Sequence, residues 1–192
     1  MPIVLLVRHG ESQANAGLPT AHPRTVRLTK VGREQVENIP HVLRTTNLLP
    51  ELIVVSSYIR SRQTAKSTIK SFPSIPVEEW PVHEFTYLSS KHAGRTTVEQ
   101  RRVWVDRYWE NADPFAVDKE ESESFEQFIA RVRKTIAQLK QTKKDTIIVF
   151  SHEQFICALL WLLQRDQPED NIDSTAMRDF KTFHRSNGVP NG

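Results

Sequence analysis

The sequence predicts an α/β fold: a three-layer α/β/α sandwich around a mostly parallel central sheet, with a small helical insertion over the active site. Three observations carry this expectation. Short apolar runs rich in β-branched residues alternate with segments of helical periodicity. The clearest of those runs lack the in-and-out alternation of a half-solvated strand, as expected where a parallel sheet is covered on both faces. Residues able to do chemistry follow four of the runs directly, and ligands of open α/β sheets bind at the carboxyl ends of the strands.

Pro2–Val7 is the first such run. Thr29 then opens a helix carrying Val31, Val36, Ile39 and Val42, kinked or broken at Pro40. Leu52–Val55 is a second strand closing on Ser56-Ser57, and a helix follows from about Arg60 to Ser71, ended by Phe72-Pro73. Val77–Phe85 is a third strand, in which Pro81 marks an edge or a bulge. Residues 86–121 break the rhythm and form the insertion. Within it Thr96-x-x-Glu99 has the form of a capping box, ahead of a helix over Thr97–Glu110. Trp104, Tyr108 and Trp109 are expected to pack there rather than to stack on a ligand. Asn111–Glu123 is polar and acidic, a loop. A second capping box, Ser124-x-x-Gln127, opens a long helix with Phe125, Phe128, Ile129, Val132, Ile136 and Leu139 at helical spacing. Thr146–Phe150 is the fourth strand, feeding the apolar helix after His152. With no internal repeat and no linker, residues 1–192 read as a single domain with 86–121 as a cap segment.

The bulk properties narrow the function classes. The 192 residues suit one core. An excess of 26 Lys and Arg over 23 Asp and Glu, net +3, is too small to imply nucleic acid, and no basic stripe is interleaved with exposed aromatics. The single cysteine, Cys157, excludes an internal disulfide and lies in the apolar run Phe155–Leu163, where a buried structural thiol is expected. That run is far short of the roughly 20 residues of a membrane helix. The N-terminus lacks the basic segment of a signal peptide. A cytoplasmic protein without a membrane partner is expected.

Arg8-His9-Gly10-Glu11 follows the first strand, Ser56 to Arg60 the second, His83-Glu84 ends the third and Ser151-His152 the fourth. Two histidines, two arginines and a glutamate are thereby directed to one point. Two guanidinium forks match a tetrahedral oxyanion. A neutral imidazole is a nucleophile near pH 7 that forms covalent intermediates. A carboxyl group can protonate a leaving oxygen and then deprotonate water. Such a set suits phosphoryl transfer, with Arg8, Arg60 and His152 supplying the positive charge that Mg²⁺ supplies in kinases. A zinc site is the rival use, but Ile156 stands where a zinc-binding helix starting at His152-Glu153 would need its second histidine. No metal and no cofactor is expected.

These residues resemble a known family. Arg8-His9-Gly10-Glu11-Ser12 with Asn15 is similar to the opening signature of the histidine phosphatase superfamily, which includes the cofactor-dependent phosphoglycerate mutases. Leu28-Thr29-x-x-Gly32-x-x-Gln35, Arg60 with Gln63-Thr64-Ala65, and Phe150-Ser151-His152 continue the resemblance in order. It implies that His9 becomes phosphorylated, that Arg8, Arg60 and His152 hold the phosphate with help from Asn15, and that Glu84 is the general acid and base. It implies a phosphatase acting on small phosphorylated molecules, with a mutase or a non-catalytic phosphate-binding protein as alternatives. Glu11 receives no chemical role. Three departures stand out. Glu153 replaces the usual glycine, and narrows the substrate range, shifts pH dependence or points outward. Ala14 replaces an aromatic residue of many mutases. The sequence stops at Gly188–Gly192, where many relatives begin a last edge strand, so the natural end is expected further on. Lys91, His92, Arg95, Arg101 and Arg102 of the insertion either reach an anionic substrate from above or form a solvated face. His83 is expected to be structural or a modest substrate contact, and Arg62 to lie on the surface.

Overall fold

Alternate residues of three of the four strands point into opposite helical layers, and this builds the sandwich. The computed structural model describes residues 2–165 and 171–192. Strands β1 (Ile3–Arg8), β2 (Leu52–Val55), β3 (Val77–Glu79) and β4 (Thr146–Ser151) form a parallel sheet in the order β1-β4-β2-β3. The short helix α4 (Ser90–Ala93) lies in the insertion. Val4, Leu6, Leu52, Val54, Ile147 and Val149 join a core with α5 (Arg102–Asn111), α6 (Phe125–Gln141), α7 (Glu153–Gln164) and α8 (Ser174–Ser186). Leu5, Val7, Ile53, Val55, Ile148 and Phe150 join a second core with α2 (Ile39–Thr45) and α3 (Ile59–Ser71). The larger core is aromatic: Phe125, Phe128, Phe155 and Phe180 are wholly buried, and Phe85 stacks on Phe128 at 4.4 Å. Each such side chain contributes about 2–3 kcal/mol by leaving water.

Several boundaries fall elsewhere than the sequence suggests. The first helix breaks at Asn38, between α1 (Lys30–Glu37) and α2. Pro40 then sits in the first turn of α2, where its missing N–H costs nothing. Strand β3 stops at Glu79 rather than Phe85. The Trp80 amide still donates to the Val55 carbonyl at 3.1 Å, but Pro81 has no donor to continue the ladder. The expected capping box at Thr96 and Glu99 is replaced by its neighbour: Thr97 and Gln100 exchange side-chain-to-backbone bonds of 2.8 and 3.1 Å, and α5 starts at Arg102. The capping box at Ser124 and Gln127 is formed. Trp109 is buried against Phe85 and Phe180, and Tyr108 stacks on Tyr87 at 4.6 Å, so both pack as expected. Helix α8 was not anticipated. Asp173 caps it through the Ala176 amide at 2.8 Å, and Ala176, Met177 and Phe180 reach the core; that spacing was the available signal. No helix among the described residues is long and apolar enough to cross a membrane.

The register positions the site. Arg8 pairs with Ser151 and Val55 with Phe150, so the residues that follow β1, β4 and β2 leave the sheet side by side.

Candidate active site

The loop after β1 is held from below by α1 and α3. A Cβ on Gly32 would come within 1.9 Å of the Glu11 carbonyl oxygen, and one on Gly10 within 2.3 Å of the Gly32 carbonyl oxygen. Only glycine at both positions lets loop and helix approach this closely. Thr29 donates to the Glu11 carboxylate at 2.6 Å, the Glu11 amide donates to the Gln35 side chain at 2.8 Å, and the Gly10 amide to Thr64 at 3.2 Å. Gln63 accepts from the Leu28 amide at 2.8 Å. Glu11, Thr29, Gln35, Gln63 and Thr64 are thus the frame of the loop.

His9 is 4% exposed, and its Nδ1 lies 2.8 Å from the Gly10 carbonyl oxygen. A carbonyl only accepts, so Nδ1 carries the proton and Nε2 keeps its lone pair. Arg60 Nε donates to that lone pair at 2.9 Å, and Arg60 Nη1 donates to the Pro23 carbonyl at 2.6 Å. Burial, followed by the Arg60 charge, lowers the His9 pKa from 6.5 to about 3, so the ring is neutral. Burial also lowers Arg60, to about 10.

His152 is wholly buried, and its ring centroid lies 5.1 Å from that of His9. Its Nε2 is 2.9 Å from Ser56 Oγ, whose own acceptor role is taken by the Tyr58 amide at 3.2 Å. A hydroxyl proton given to Nε2 would place the ring proton on Nδ1. That Nδ1 is buried and has no hydrogen-bond partner. Burial first, then the charges of Arg60 and a protonated His9, hold His152 well below the ordinary histidine value.

Glu84 lies beyond β3 on a segment held by other residues. Its Oε1 accepts from the Phe85 amide and from the Gln154 amide in the first turn of α7, both at 3.1 Å. Burial raises its pKa, against the opposing charge of Arg60. Ser151 Oγ donates to the Val82 carbonyl at 2.6 Å. Arg131 donates to the carbonyls of Pro81 and His83 at 2.7 and 2.9 Å, and to both carboxylate oxygens of Glu123 at 3.1 and 2.6 Å. Sequence reading missed this clamp, because Arg131 lies on α6, far in the chain from Glu84. Replacing Arg131 by methionine breaks a nearly buried ion pair and should cost about 3–5 kcal/mol in chemical denaturation. It should also lower kcat, with Arg131→Lys recovering part of both. Unchanged stability would mean that the clamp is an ordinary surface contact.

Arg8 is shared. Nη1 donates to the Val189 carbonyl, Nη2 pairs with Glu153 Oε2 at 2.6 Å, and Nε is buried without a partner. Glu153 therefore points at the site and not outward. Burial raises the Glu153 carboxyl, but His184 and Arg8 outweigh it and hold the group below its ordinary value. Asn15 Oδ1 accepts from the Ser12 amide and hydroxyl at 3.0 and 2.8 Å, which leaves the Asn15 NH₂ for other use. The last residues return to this loop: Asn191 donates to the His9 carbonyl at 2.9 Å, and the Gly192 amide to the Arg8 carbonyl at 3.3 Å.

Arg8, His9, Asn15, Arg60, Glu84 and Glu153 all line one cavity of about 200 Å³. It shares Arg60, Glu84, Arg101 and Glu153 with a second cavity of about 380 Å³, walled largely by Phe85, Tyr87, Leu88, Val98 and Val105. Of the insertion's cations, Arg101 lines both cavities. Arg102 pairs with Glu99 and Asp106, and Lys91 with Glu120. Arg95 lines neither cavity, and the side chain of His92 lies outside what is described. His83 stacks on Tyr58 at 5.4 Å, lines neither of these two cavities, and faces a separate one of about 250 Å³ with His22, Arg24 and Glu121. Arg62 pairs with Glu79 on the surface. Cys157 is buried, with its thiol pushed up by burial to about 12, and is inert. Among the described residues no three His, Cys, Asp or Glu side chains converge as a metal set would.

The neutral histidines set an acid limit on stability. Their folded pKa values are depressed below 6.5, so the stabilisation is present above that value and is lost as pH falls. His9, His83 and His152 should together remove roughly 3 kcal/mol between pH 6 and pH 5 in chemical denaturation. A His9→Asn variant should show about two thirds of that slope, and a flat profile would mean that the rings protonate in place.

Residues 4–182 match the histidine phosphatase superfamily (branch 1). The chain is 29% identical over 162 residues to the adenosylcobalamin/alpha-ribazole phosphatase of Escherichia coli (strain K12), covering 81% of this chain and 75% of that protein. It is 27% identical over 154 residues to a 2,3-bisphosphoglycerate-dependent phosphoglycerate mutase of Streptomyces griseus subsp. griseus, covering 76% of this chain and 61% of that one. The crystal structure of the alpha-ribazole phosphatase from Shigella flexneri superposes with a TM-score of 0.72 at 22% identity, covering 98% of this chain and 86% of that one.

Proposed function

The chain belongs to the histidine phosphatase superfamily (branch 1), and from that premise we propose that it is a metal-independent phosphomonoesterase acting through a phosphohistidine on His9. The observation that carries this reading is the fixed tautomer of His9: Nδ1 is held on the Gly10 carbonyl, and the Nε2 lone pair faces Arg60 in the cavity. A ring that stays neutral at every working pH needs no base to activate it.

In the first step Nε2 attacks phosphorus in line, the N–P bond forms as the P–O ester bond breaks, and Glu84 gives its proton to the departing alkoxide. Arg60 turns from Nε2 to the phosphoryl oxygens. Arg8, the Asn15 amide and the Nδ1 side of His152 are the other donors in this reading. In the second step the Glu84 carboxylate takes a proton from water, whose oxygen attacks phosphorus and releases His9 and inorganic phosphate. The raised Glu84 pKa suits both duties.

The larger cavity adjoins Glu84, where the leaving alcohol must lie, so residues 86–121 act as a cap that receives the body of a small molecule. The mutase relative supports a phosphoglycerate mutase reading. Against it, this second cavity is walled mainly by apolar side chains, with Arg101 and His184 as the basic residues that it adds to those of the phosphoryl site among the described residues. A coupled mutase assay separates the two. The direct test is phosphate release from p-nitrophenyl phosphate in excess chelator from pH 5 to 8, with and without vanadate. Vanadate-sensitive, chelator-resistant turnover is expected; chelator-sensitive turnover would sink the mechanism.

A further inference from the structure

Resting on that reading, we propose that Glu153 is a specificity-determining residue, an internal anion seated on Arg8 that a doubly charged phosphoryl group displaces onto His184. Three features of the site lead there.

Arg8 lines the cavity that contains the nucleophile, yet its guanidinium is taken up by protein groups: Glu153 Oε2 at 2.6 Å and the Val189 carbonyl. An incoming phosphoryl group meets Arg8 already paired. Second, the other oxygen of the same carboxylate, Oε1, lies 3.6 Å from His184 Nε2, an ion-pair distance too long for a hydrogen bond. Third, His184 Nε2 is buried and makes no hydrogen bond, although its nearness already helps hold the Glu153 carboxyl down, so the contact can still tighten. A buried nitrogen left unpaired is costly, and a shift of less than about 1 Å would satisfy it. The carboxylate thus has two partners and is fully bonded to one of them. Its backbone does not need to move, since Glu153 is the first residue of α7. His184 is also fixed, because its ring stacks on that of Phe180 at 6.0 Å between centroids.

The consequence is a charge threshold. A carboxylate carries one negative charge, and so do sulfonates, sulfate esters and phosphodiesters; none of them gains by taking Arg8 from Glu153. A phosphomonoester carries two charges and attracts Arg8 and Arg60 about twice as strongly at equal distance. Glu153 therefore restricts the site to dianions. A residue that merely oriented Arg8 would have the opposite effect, since removing its charge would loosen Arg8 and weaken every anion.

The test uses two non-hydrolysable ligands of one shape, phenylphosphonate and benzenesulfonate, titrated calorimetrically at pH 8, where the first carries two charges and the second one. Wild type, Glu153→Gln, His184→Phe and the double variant are compared; phenylalanine keeps the stack on Phe180 and removes the N–H. Wild type should bind phenylphosphonate and reject benzenesulfonate. Glu153→Gln should admit benzenesulfonate, tightening it by about tenfold or more, and tighten phenylphosphonate by less, so that the preference for the dianion shrinks. His184→Phe should weaken phenylphosphonate when Glu153 is present and have no effect beside Glu153→Gln, a coupling that only the exchange of partners produces. Weaker phosphonate binding in Glu153→Gln, continued rejection of benzenesulfonate, or an equal His184→Phe effect in both backgrounds overturns the proposal. If no variant binds phenylphosphonate and wild type also fails to turn over p-nitrophenyl phosphate, the phosphatase reading falls first and the specificity claim with it.

Discussion

Replacing His9 by asparagine is expected to abolish phosphate release, with kcat falling by at least about 10⁴-fold. Asparagine places an amide N–H near the Gly10 carbonyl that His9 Nδ1 engages, so the loop loses little of its local bonding. What it removes is Nε2, the atom to which phosphorus must bond. The remaining arginines and His152 can still bind a phosphate ester, so vanadate or phosphate affinity should survive while turnover does not. Steady-state phosphate release, with thermal melting as the folding control, checks this. Retention of more than about one per cent of turnover would mean that water, and not His9, attacks phosphorus.

Glu84→Gln is the second large effect, and its size should depend on the leaving group. An alkyl phosphate releases a strongly basic alkoxide that needs a proton, and loss of the general acid should cost about 10²–10⁴-fold. p-Nitrophenolate leaves without one, so the first step should persist and appear as a burst of nitrophenol. The second step still lacks its base, and steady turnover should be slow with either ester. The pH dependence follows from the raised Glu84 pKa. The acid form is lost as pH rises through that value, so kcat/KM of wild type on an alkyl ester should fall on the alkaline side. The p-nitrophenyl ester should show no such limb in the burst rate. An equal loss on both esters without a burst would remove Glu84 from leaving-group protonation.

The candidate site was legible where the residues doing chemistry follow their strands directly. Arg8-His9 and Ser151-His152 follow the runs Pro2–Val7 and Thr146–Phe150 directly, and because β1 and β4 pair in register the two histidines meet. Gly10, Gly32, Thr29, Gln35 and Thr64 were visible as motif residues, but their task of bracing the loop appears only in three dimensions. Glu84 was placed at a strand end, yet the strand stops at Glu79 and the residue is held by α6 and α7. Long-range partners of this kind leave no local pattern. Arg131, Glu123 and His184 each sit on a surface-like stretch of sequence, and their partners are between 8 and 50 residues away. Helix α8 was overlooked although Asp173 and the spacing of Ala176, Met177 and Phe180 marked it. Lys91, His92, Arg95, Arg101 and Arg102 were ambiguous for a further reason: consecutive side chains at a helix start point in different directions, so Arg101 enters the site while Arg102 pairs outside it.

The central claim is the phosphohistidine, and it can be observed directly. Wild type mixed with a radiolabelled phosphomonoester, quenched in alkali within milliseconds and mapped by peptide mass, should carry label on the peptide containing His9. That label should survive alkali, be lost in acid, accumulate in Glu84→Gln with the p-nitrophenyl ester, and be absent from His9→Asn. Turnover without any labelled protein, or label that is stable to acid or lies on another residue, would contradict the account.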